Sequence, residues 1–596
     1  MRVRLYNIKK YSFQWFNSLL ELEYSLSGEN QKNGFNIKFN KVEKIPQSAT
    51  NIILKNATRY IPPSIEDIAD LSLQLHLGDE TKTVLIEVVN VKEFTLRARL
   101  KSAADIQEID VNRVQSAVVE IKNPAFVLEK LKTEFQKLPR ADKDNLQANL
   151  THRIEFILGP PGTGKTTYLA RERIIPLMKE NLKILVLTPT NKVADVLMKK
   201  MMADPKTAQN ELIRFGVTGD SEIEMAGLLK EKSFDFTRLK KAVLITTIAR
   251  FFYDGFSSGL LKDFHWDVIM FDEASVIMLA QMIYVLCQQT HCRFIICGDP
   301  FQIQPLVIAE QWKTENIYTL VEINRFQSIN TVPHHFPITQ LTTQYRSIPP
   351  LGTLFSQFSY DGILKHHRQI TDKKPLKLES FDLKEITVIK FPVNQESLYR
   401  ARRLENGGIY HIYSAILTVE IALSLSKKAP NGWKIGIVCP YLAQATLVEK
   451  MLAAFPHPHI SIITGTVHRF QGDEFDMILN LLNPPPTISS NIFLNNQNIL
   501  NVAISRARDY LILLIPIVDG LGQIKRLETI LKNEIMQYYQ EVTSESLETI
   551  LFQQSNYIDK NTSISAHQSI NVYGKAKQKY EVRIGSRAVD VRMLVL

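Results

Sequence analysis

The chain has 596 residues, 45% of them hydrophobic and 22% charged, a composition ordinary for a soluble globular protein of about three to five domains. Its 4 cysteines exclude a disulfide framework and point to a reducing intracellular compartment, the cytoplasm first and the nucleus second, and no apolar run marks a signal peptide or a membrane span. A net charge of +10 fits a polyanion partner such as nucleic acid, although many basic proteins bind none.

In chain order, residues 1–34 mix aromatic and basic side chains, among them Trp15 and Phe16, and have no readable role. Residues 35–122 carry strand signals: Thr83 to Val89 is rich in branched residues, and Phe94, Leu96, Ala98 and Leu100 alternate with Thr95, Arg97, Arg99 and Lys101. This predicts a small β domain with a basic outer face, open either to a phosphate backbone or simply to solvent. Asn123-Pro124 reads as a helix start, with Val127, Leu128, Leu131, Phe135 and Leu138 on one apolar face.

The loop Gly159-Pro160-Pro161-Gly162-Thr163-Gly164-Lys165-Thr166-Thr167 follows the apolar run Ile154 to Leu158 and precedes a helix-prone segment. Its glycines let backbone N–H groups face a triphosphate, Lys165 supplies charge to the outer phosphates, and Thr166 offers a hydroxyl to Mg²⁺. Strands predicted at 183–187, 242–245, 267–271 and 294–297 then end in Thr188-Pro189-Thr190-Asn191, Thr246-Thr247, Asp272-Glu273-Ala274-Ser275 and Gly298-Asp299-Pro300-Phe301-Gln302. Polar residues at successive strand ends are where open parallel sheets place ligands. Of the pair Asp272-Glu273, one carboxylate can hold Mg²⁺ and the other can orient or deprotonate water. Gln302 either senses the γ-phosphate or is an ordinary turn glutamine. Cys287, Cys292 and Cys297 lack ligand spacing and read as small core residues.

From Leu341 a second α/β region follows, with Gln344-Tyr345-Arg346-Ser347, a strand at 435–438, Gly465 to Glu474 and Asn501 to Arg508, and no second phosphate loop. One ATP held between two lobes, with Arg346 and Arg506 reaching to its phosphates, is the functional reading; surface salt bridges are the other. Histidine pairs His334-His335 and His366-His367 and the turn Pro456-His457-Pro458-His459 have no partners at metal-ligand spacing. A helix is predicted over 523–539, with Ile524, Leu527, Leu531, Ile535 and Tyr538 on one side, then a polar loop, then two short strands around Gly585-Ser586.

In the order GPPGTGKTT, LTPTNKVADVL, DEAS, GDPFQIQP, QYRS, TVHRFQGDEFD and LNVAISRAR, these motifs resemble those of superfamily-one B helicases of the up-frameshift type. The resemblance implies two RecA-like parallel-sheet lobes, at 141–335 and 336–520. It also implies an accessory β domain, a barrel on a helical stalk, at 35–140, a short helical insertion at about 203–241, and a C-terminal helix and hairpin tail at 521–596. It implies that ATP and Mg²⁺ are bound by residues 159–167, with Thr166 and Asp272 on the metal. In that family Glu273 matches the residue that activates water, Gln302 the one that couples the γ-phosphate to lobe movement, and Arg346 and Arg506 the arginine fingers. Tyr345 matches an aromatic that stacks on adenine and Glu474 a residue near the ribose. Pro189, Thr190, Thr247 and Thr466 match contacts to a single strand, along which members move, typically 5′-to-3′. The offset of the family's adenine-reading glutamine falls on Ala141, between Gln136 and Gln147, which leaves base selectivity open.

The expectation is an ATP-dependent helicase or translocase on single-stranded DNA or RNA, with a protein partner as a possible addition and no membrane. The alternative is a nucleotide-dependent scaffold that binds nucleic acid without unwinding it. The intact set Lys165, Asp272, Glu273, Gln302, Arg346 and Arg506 favours the motor.

Overall fold

The computed structural model describes residues 8–590 except 28–33, 46–47, 49, 57–60, 62–64, 66–70, 79, 93–94, 102–109, 122–124, 140, 151, 232–233, 237–238, 324–335, 396, 404–407, 454, 456–458, 471, 489–491, 571–575 and 585–586. His334-His335, His457, Phe94, the proposed cap Asn123-Pro124 and the turn Gly585-Ser586 therefore lie outside the described residues. The chain divides into two compact units. The first comprises residues 1–159, 165–300 and 304–341, and the second takes in 160–164, 301–303 and 342–596.

The first unit opens with helix Phe13–Leu26, capped by Ser12 and burying Trp15, Phe16, Leu19 and Leu20. Phe16 packs on Phe135, with centroids 5.6 Å apart, and Glu23 accepts hydrogen bonds from Ile308 N, Ala309 N and Trp312 Nε1. The helix within the N-terminal segment that had no readable role thus packs into this unit's core. Residues 35–121 form a seven-stranded antiparallel sheet, in the order Phe35–Phe39, Ser116–Ile121, Leu71–Leu77, Glu80–Lys92, Thr95–Leu100, Asn51–Lys55, Lys41–Lys44. The period-two pattern holds: Leu96, Ala98 and Leu100 are buried in its core. The basic face is not a free one. Arg97 donates to Gly219 O at 3.4 Å and Arg99 pairs with Glu231 at 3.0 Å, both on the segment that follows helix Asn191–Met202.

The second sheet of this unit is eight-stranded and parallel, in the order Leu229–Lys230, Leu212–Phe215, Ala242–Thr247, Lys183–Thr188, Val268–Phe271, Arg293–Gly298, Ile154–Leu158, Ile338–Gln340. Two features correct the sequence reading. Among the described residues of 203–241 there is no helical insertion: they hold two strands of the sheet, the five-residue helix Ser221–Met225 and a 3-10 turn at Gln209–Glu211. Leu212 to Phe215 is a fully buried run, and its Arg214 is neutralised by Asp195 and bonded to Asn191 and the carbonyls of Phe215 and Val217. The sheet also extends past the expected limit of 335, because Ile338–Gln340 pairs with Ile154–Leu158. Glu87 joins the two sheets, its buried carboxylate 3.3 Å from Arg250, which also pairs with Asp254 at 2.6 Å.

The second unit is built on a six-stranded parallel sheet, in the order Ser461–Thr466, Lys434–Cys439, Phe475–Leu481, Ala507–Ile517, Ile386–Pro392, Tyr539–Thr543. The C-terminal helix runs only over Gly522–Glu534, burying Ile524, Leu527 and Leu531. Tyr539 begins an edge strand rather than ending the helix, and pairs with Ile386. The stretch expected as a polar loop between 539 and 580 holds helices Ser544–Phe552 and Tyr557–Asn561 and the strand Thr562–Ile570, the last in a three-stranded antiparallel sheet with Ala576–Ile584 and Arg587–Asp590. Among the described residues no helix is long and apolar enough to cross a membrane.

Candidate active site

In the first unit the apolar run Ile154–Leu158 forms a buried strand beside Arg293–Gly298, and Gly159 N continues the ladder to Gly298 O at 3.0 Å. The chain then turns through Gly162 and Gly164, at φ +76° and +77°, which side-chain-bearing residues rarely adopt. A helical stretch starts at Lys165, whose side chain is only 7% exposed. The next strand over but one, Val268–Phe271, is fully buried and delivers Asp272 to its carboxyl end. Lys165 Nζ lies 3.9 Å from Glu273 Oε1.

Asp272 is wholly buried. Its Oδ1 accepts the N–H of Glu273 at 2.9 Å, while Oδ2 makes no hydrogen bond among the described residues. Burial, with the neighbouring Glu273 charge second, pushes the Asp272 carboxyl up to about 7. The Cys297 thiol, on the adjacent strand, is held well above the usual thiol range by burial and by Asp272. Cys287, Cys292 and Cys297 are all buried. Glu273 sits at φ +51°, a left-handed conformation that costs about 1 kcal/mol or more for a non-glycine residue. That conformation turns the chain sharply after Asp272 into the 3-10 turn Ala274–Val276. Ser275 Oγ is buried there and makes no hydrogen bond among the described residues.

A buried carboxylate oxygen and a buried hydroxyl with unused lone pairs fit a hard cation with oxygen ligands. These groups fit Mg²⁺, with Asp272 as the candidate holder here and Thr166 as the one the loop motif supplies.

The remaining first-unit residues reach strand ends as expected. Pro189 and Thr190 follow Lys183–Thr188, and Thr247 ends the neighbouring strand in register with Thr188. Thr190 and Thr247 also cap the helices that follow, accepting from Val193 N and Arg250 N. Ala141 is buried and Gln136 is exposed.

In the second unit, Tyr345 and Arg346 lie on a turn braced by Gln344, a residue with no assigned role in the sequence reading. Gln344 Oε1 accepts from Arg346 N at 3.0 Å and Ser347 N at 2.8 Å, and its Nε2 donates to Ser347 O at 2.7 Å. Residues 160–164 belong to this unit, and Tyr345 N donates to Gly162 O at 2.8 Å. A Cβ on Gly162 would fall 2.8 Å from Arg346 Cβ, so the close approach itself requires glycine. Arg346 donates to Glu474 at 3.2 Å and to Ser505 O at 2.9 Å. Arg368, also overlooked, ties this turn to the Arg506 segment, donating to Arg346 O, Arg508 O and Asp509 at 2.9, 3.2 and 2.7 Å.

Arg506 is buried and Phe475 N donates to its carbonyl. Gln302, in this unit with 301 and 303, is also buried, and its carbonyl accepts from Asn498 at 2.8 Å. Thr466 ends the strand Ser461–Thr466 opposite Cys439. Gln344 opens the QYRS motif and braces its own turn, whereas no local pattern announces Arg368, which acts on residues distant in sequence.

A family model described as an AAA domain matches residues 142–307, and a second of the same description matches 322–516. DNA replication ATP-dependent helicase/nuclease dna2 of Schizosaccharomyces pombe is 26% identical over 431 residues, covering 66% of this chain and 29% of that protein. Regulator of nonsense transcripts 1 of Dictyostelium discoideum is 25% identical over 448 residues, covering 66% of this chain and 32% of that protein. Probable RNA helicase armi of Drosophila melanogaster is 24% identical over 430 residues, covering 62% of this chain and 35% of that protein. The chain thus spans about a third of the length of these relatives. With the motif series and the two parallel sheets, these matches make the chain similar to superfamily-one helicases of the type to which the regulator of nonsense transcripts and dna2 relatives belong.

Proposed function

We propose that this chain is an ATP-driven motor that moves along single-stranded DNA or RNA, 5′-to-3′, and separates duplexes or strips bound protein. The observation that carries the reading is the grouping at one sheet edge of Lys165, Glu273 and a buried Asp272 with an unused carboxylate oxygen. A structural carboxylate would be paired or placed in water; one kept buried and half-satisfied beside a lysine is arranged for a ligand.

Lys165 binds the outer phosphates of ATP, with the backbone of residues 159–167 around them. Mg²⁺, held by Thr166 and Asp272, supplies neutralising charge to those phosphates. Glu273 orients the attacking water and takes its proton. Gln302 reports the γ-phosphate, Arg346 and Arg506 stabilise charge on the transferring group, Tyr345 stacks on the base, and Glu474 meets the ribose. Pro189, Thr190, Thr247 and Thr466 contact the strand, and the cycle of ATP binding and hydrolysis moves it. The relatives' names include both DNA and RNA helicases, so the polymer is decided by experiment.

That experiment is steady-state ATP hydrolysis with and without single-stranded DNA or RNA of one length, with Lys165→Ala as blank. Stimulation well above the blank by one polymer is the expected result. Turnover indifferent to both polymers would overturn the reading.

A further inference from the structure

The pair His366-His367 sits beside the turn that carries Tyr345 and Arg346. The short strand Lys365–His366 runs parallel to Thr343–Gln344, with His366 opposite Gln344. His366 Nδ1 lies 3.1 Å from Gln344 Nε2, and its Nε2 lies 3.2 Å from Thr353 Oγ1. A Cβ on Gly352 would meet His366 Nδ1 at 2.4 Å, so this imidazole occupies room that only a glycine leaves. His367 N donates to Gln344 O at 2.9 Å, which fixes the next residue against the same turn.

The ring of His367 then meets the ring of Tyr345, with centroids 4.8 Å apart and planes inclined at 44°. Tyr345 is 54% exposed. Its backbone is locked from below through Gln344, but an exposed ring on a fixed backbone still rotates about its side-chain torsions. A flat aromatic neighbour at this distance removes that freedom on one side and leaves the other face to solvent. A base that stacks on a ring already held in plane loses less freedom on binding than one that must order the ring first.

We propose that His367 is a positioning residue for the nucleotide base, holding the Tyr345 ring in the plane on which the base stacks. The proposal rests on the assignment of Tyr345 to base stacking. Because His367 acts through ring packing and not through charge, another flat ring serves in its place. Because its ring packs on the base-side residue, its loss weakens nucleotide binding and leaves the chemical step alone.

The test compares His367→Ala, His367→Phe and Tyr345→Ala with the wild-type chain. KM and kcat for ATP are measured with saturating single-stranded nucleic acid. In parallel, the Kd of a ribose-labelled fluorescent ATP analogue is read by titration, a readout that needs no turnover. The expected result for His367→Ala is a KM and a Kd raised roughly three- to tenfold, with kcat within about twofold of wild type. His367→Phe restores both constants. If His367→Ala behaves as wild type while Tyr345→Ala weakens binding, the proposal is wrong and the assignment of Tyr345 stands. If Tyr345→Ala also binds normally, the assignment of Tyr345 falls and the proposal with it. A fall in kcat at constant KM, or no rescue by His367→Phe, contradicts a ring-packing role.

Discussion

Lys165 Nζ stands 3.9 Å from Glu273 Oε1, where the start of the helix after the glycine-rich loop meets the end of a buried strand. On the proposed mechanism, a triphosphate at Lys165 would compete with this carboxylate for the ammonium group and leave it for a water molecule. Glu273→Gln keeps the side chain's size and its place in the left-handed turn, and removes its capacity to take a proton. The variant is expected to bind ATP with little change in Kd and to lose hydrolysis by about 10²–10⁴-fold, the usual contribution of a general base. Single-turnover hydrolysis beside equilibrium nucleotide binding checks this. Hydrolysis at the normal rate would remove Glu273 from the role of water activator.

Asp272 carries a cost to folding. Its pKa in the folded chain, about 7, lies above the ordinary value of 3.8. The folded state therefore holds more protons than the unfolded one across that window, and this group's contribution to stability falls as pH rises through it. Asp272→Asn keeps an acceptor for Glu273 N–H and removes the buried charge. It is expected to abolish hydrolysis and, without nucleotide or metal, to raise stability at pH 7.5 by about 1 kcal/mol or more. Thermal unfolding in the presence of a chelator reads the gain. A destabilised variant would show that the Asp272 carboxylate is structural.

His411 shifts the other way. It is buried at the start of helix Ile412–Ser426, with Nδ1 2.9 Å from Ser414 Oγ and Nε2 2.9 Å from the Tyr399 carbonyl. Burial lowers its pKa to about 4. Neutral imidazole is the form the fold accepts, so its contribution is fully present above the unfolded pKa of about 6.5. As pH falls from about 6.5 to about 4 that contribution is lost, about 3 kcal/mol in all. His411→Asn keeps a capping acceptor and does not titrate. Its deficit relative to wild type is expected to shrink as pH falls from 7 to 4.5, read by urea unfolding at both values. A deficit constant with pH would mean that His411 is not neutral in the fold.

Arg250 holds the small antiparallel sheet to the first parallel sheet through Glu87, with Asp254 as its second partner. Glu87 and Asp254 are buried and Arg250 nearly so. Arg250→Ala removes the cation shared by two buried carboxylates, which typically costs about 3–5 kcal/mol. A lower Tm and faster proteolysis of residues 35–121 are expected. Glu87→Gln, which keeps a hydrogen-bond acceptor, is expected to lose less.

How much of this was legible in the sequence follows from where each signal comes from. Lys183–Thr188, Ala242–Thr247 and Arg293–Gly298 stand out because central parallel strands are buried on both faces and read as continuous apolar runs. The strand Leu212–Phe215 was hidden by Arg214, a charge that only a distant Asp195 and local carbonyls make tolerable inside a sheet. Tyr539–Thr543 was hidden because Ile535 and Tyr538 prolong the helical spacing beyond the true end at Glu534. The candidate residues at strand ends were legible because each strand delivers its next residue to one edge. The long-range braces were not: His366 meets Gln344 and Arg368 meets Asp509 across separations that no local pattern encodes.

Strand separation on a tailed duplex tests the motor most directly. Purified protein, ATP and Mg²⁺ are combined with duplexes carrying a single-stranded tail on the 5′ or the 3′ side, in DNA and in RNA, with Lys165→Ala as control. The account predicts ATP-dependent separation of the 5′-tailed duplex in at least one polymer, and none with the variant. Polymer-stimulated ATP hydrolysis with no separation or displacement from either tail would contradict it and leave a nucleotide-dependent binding switch.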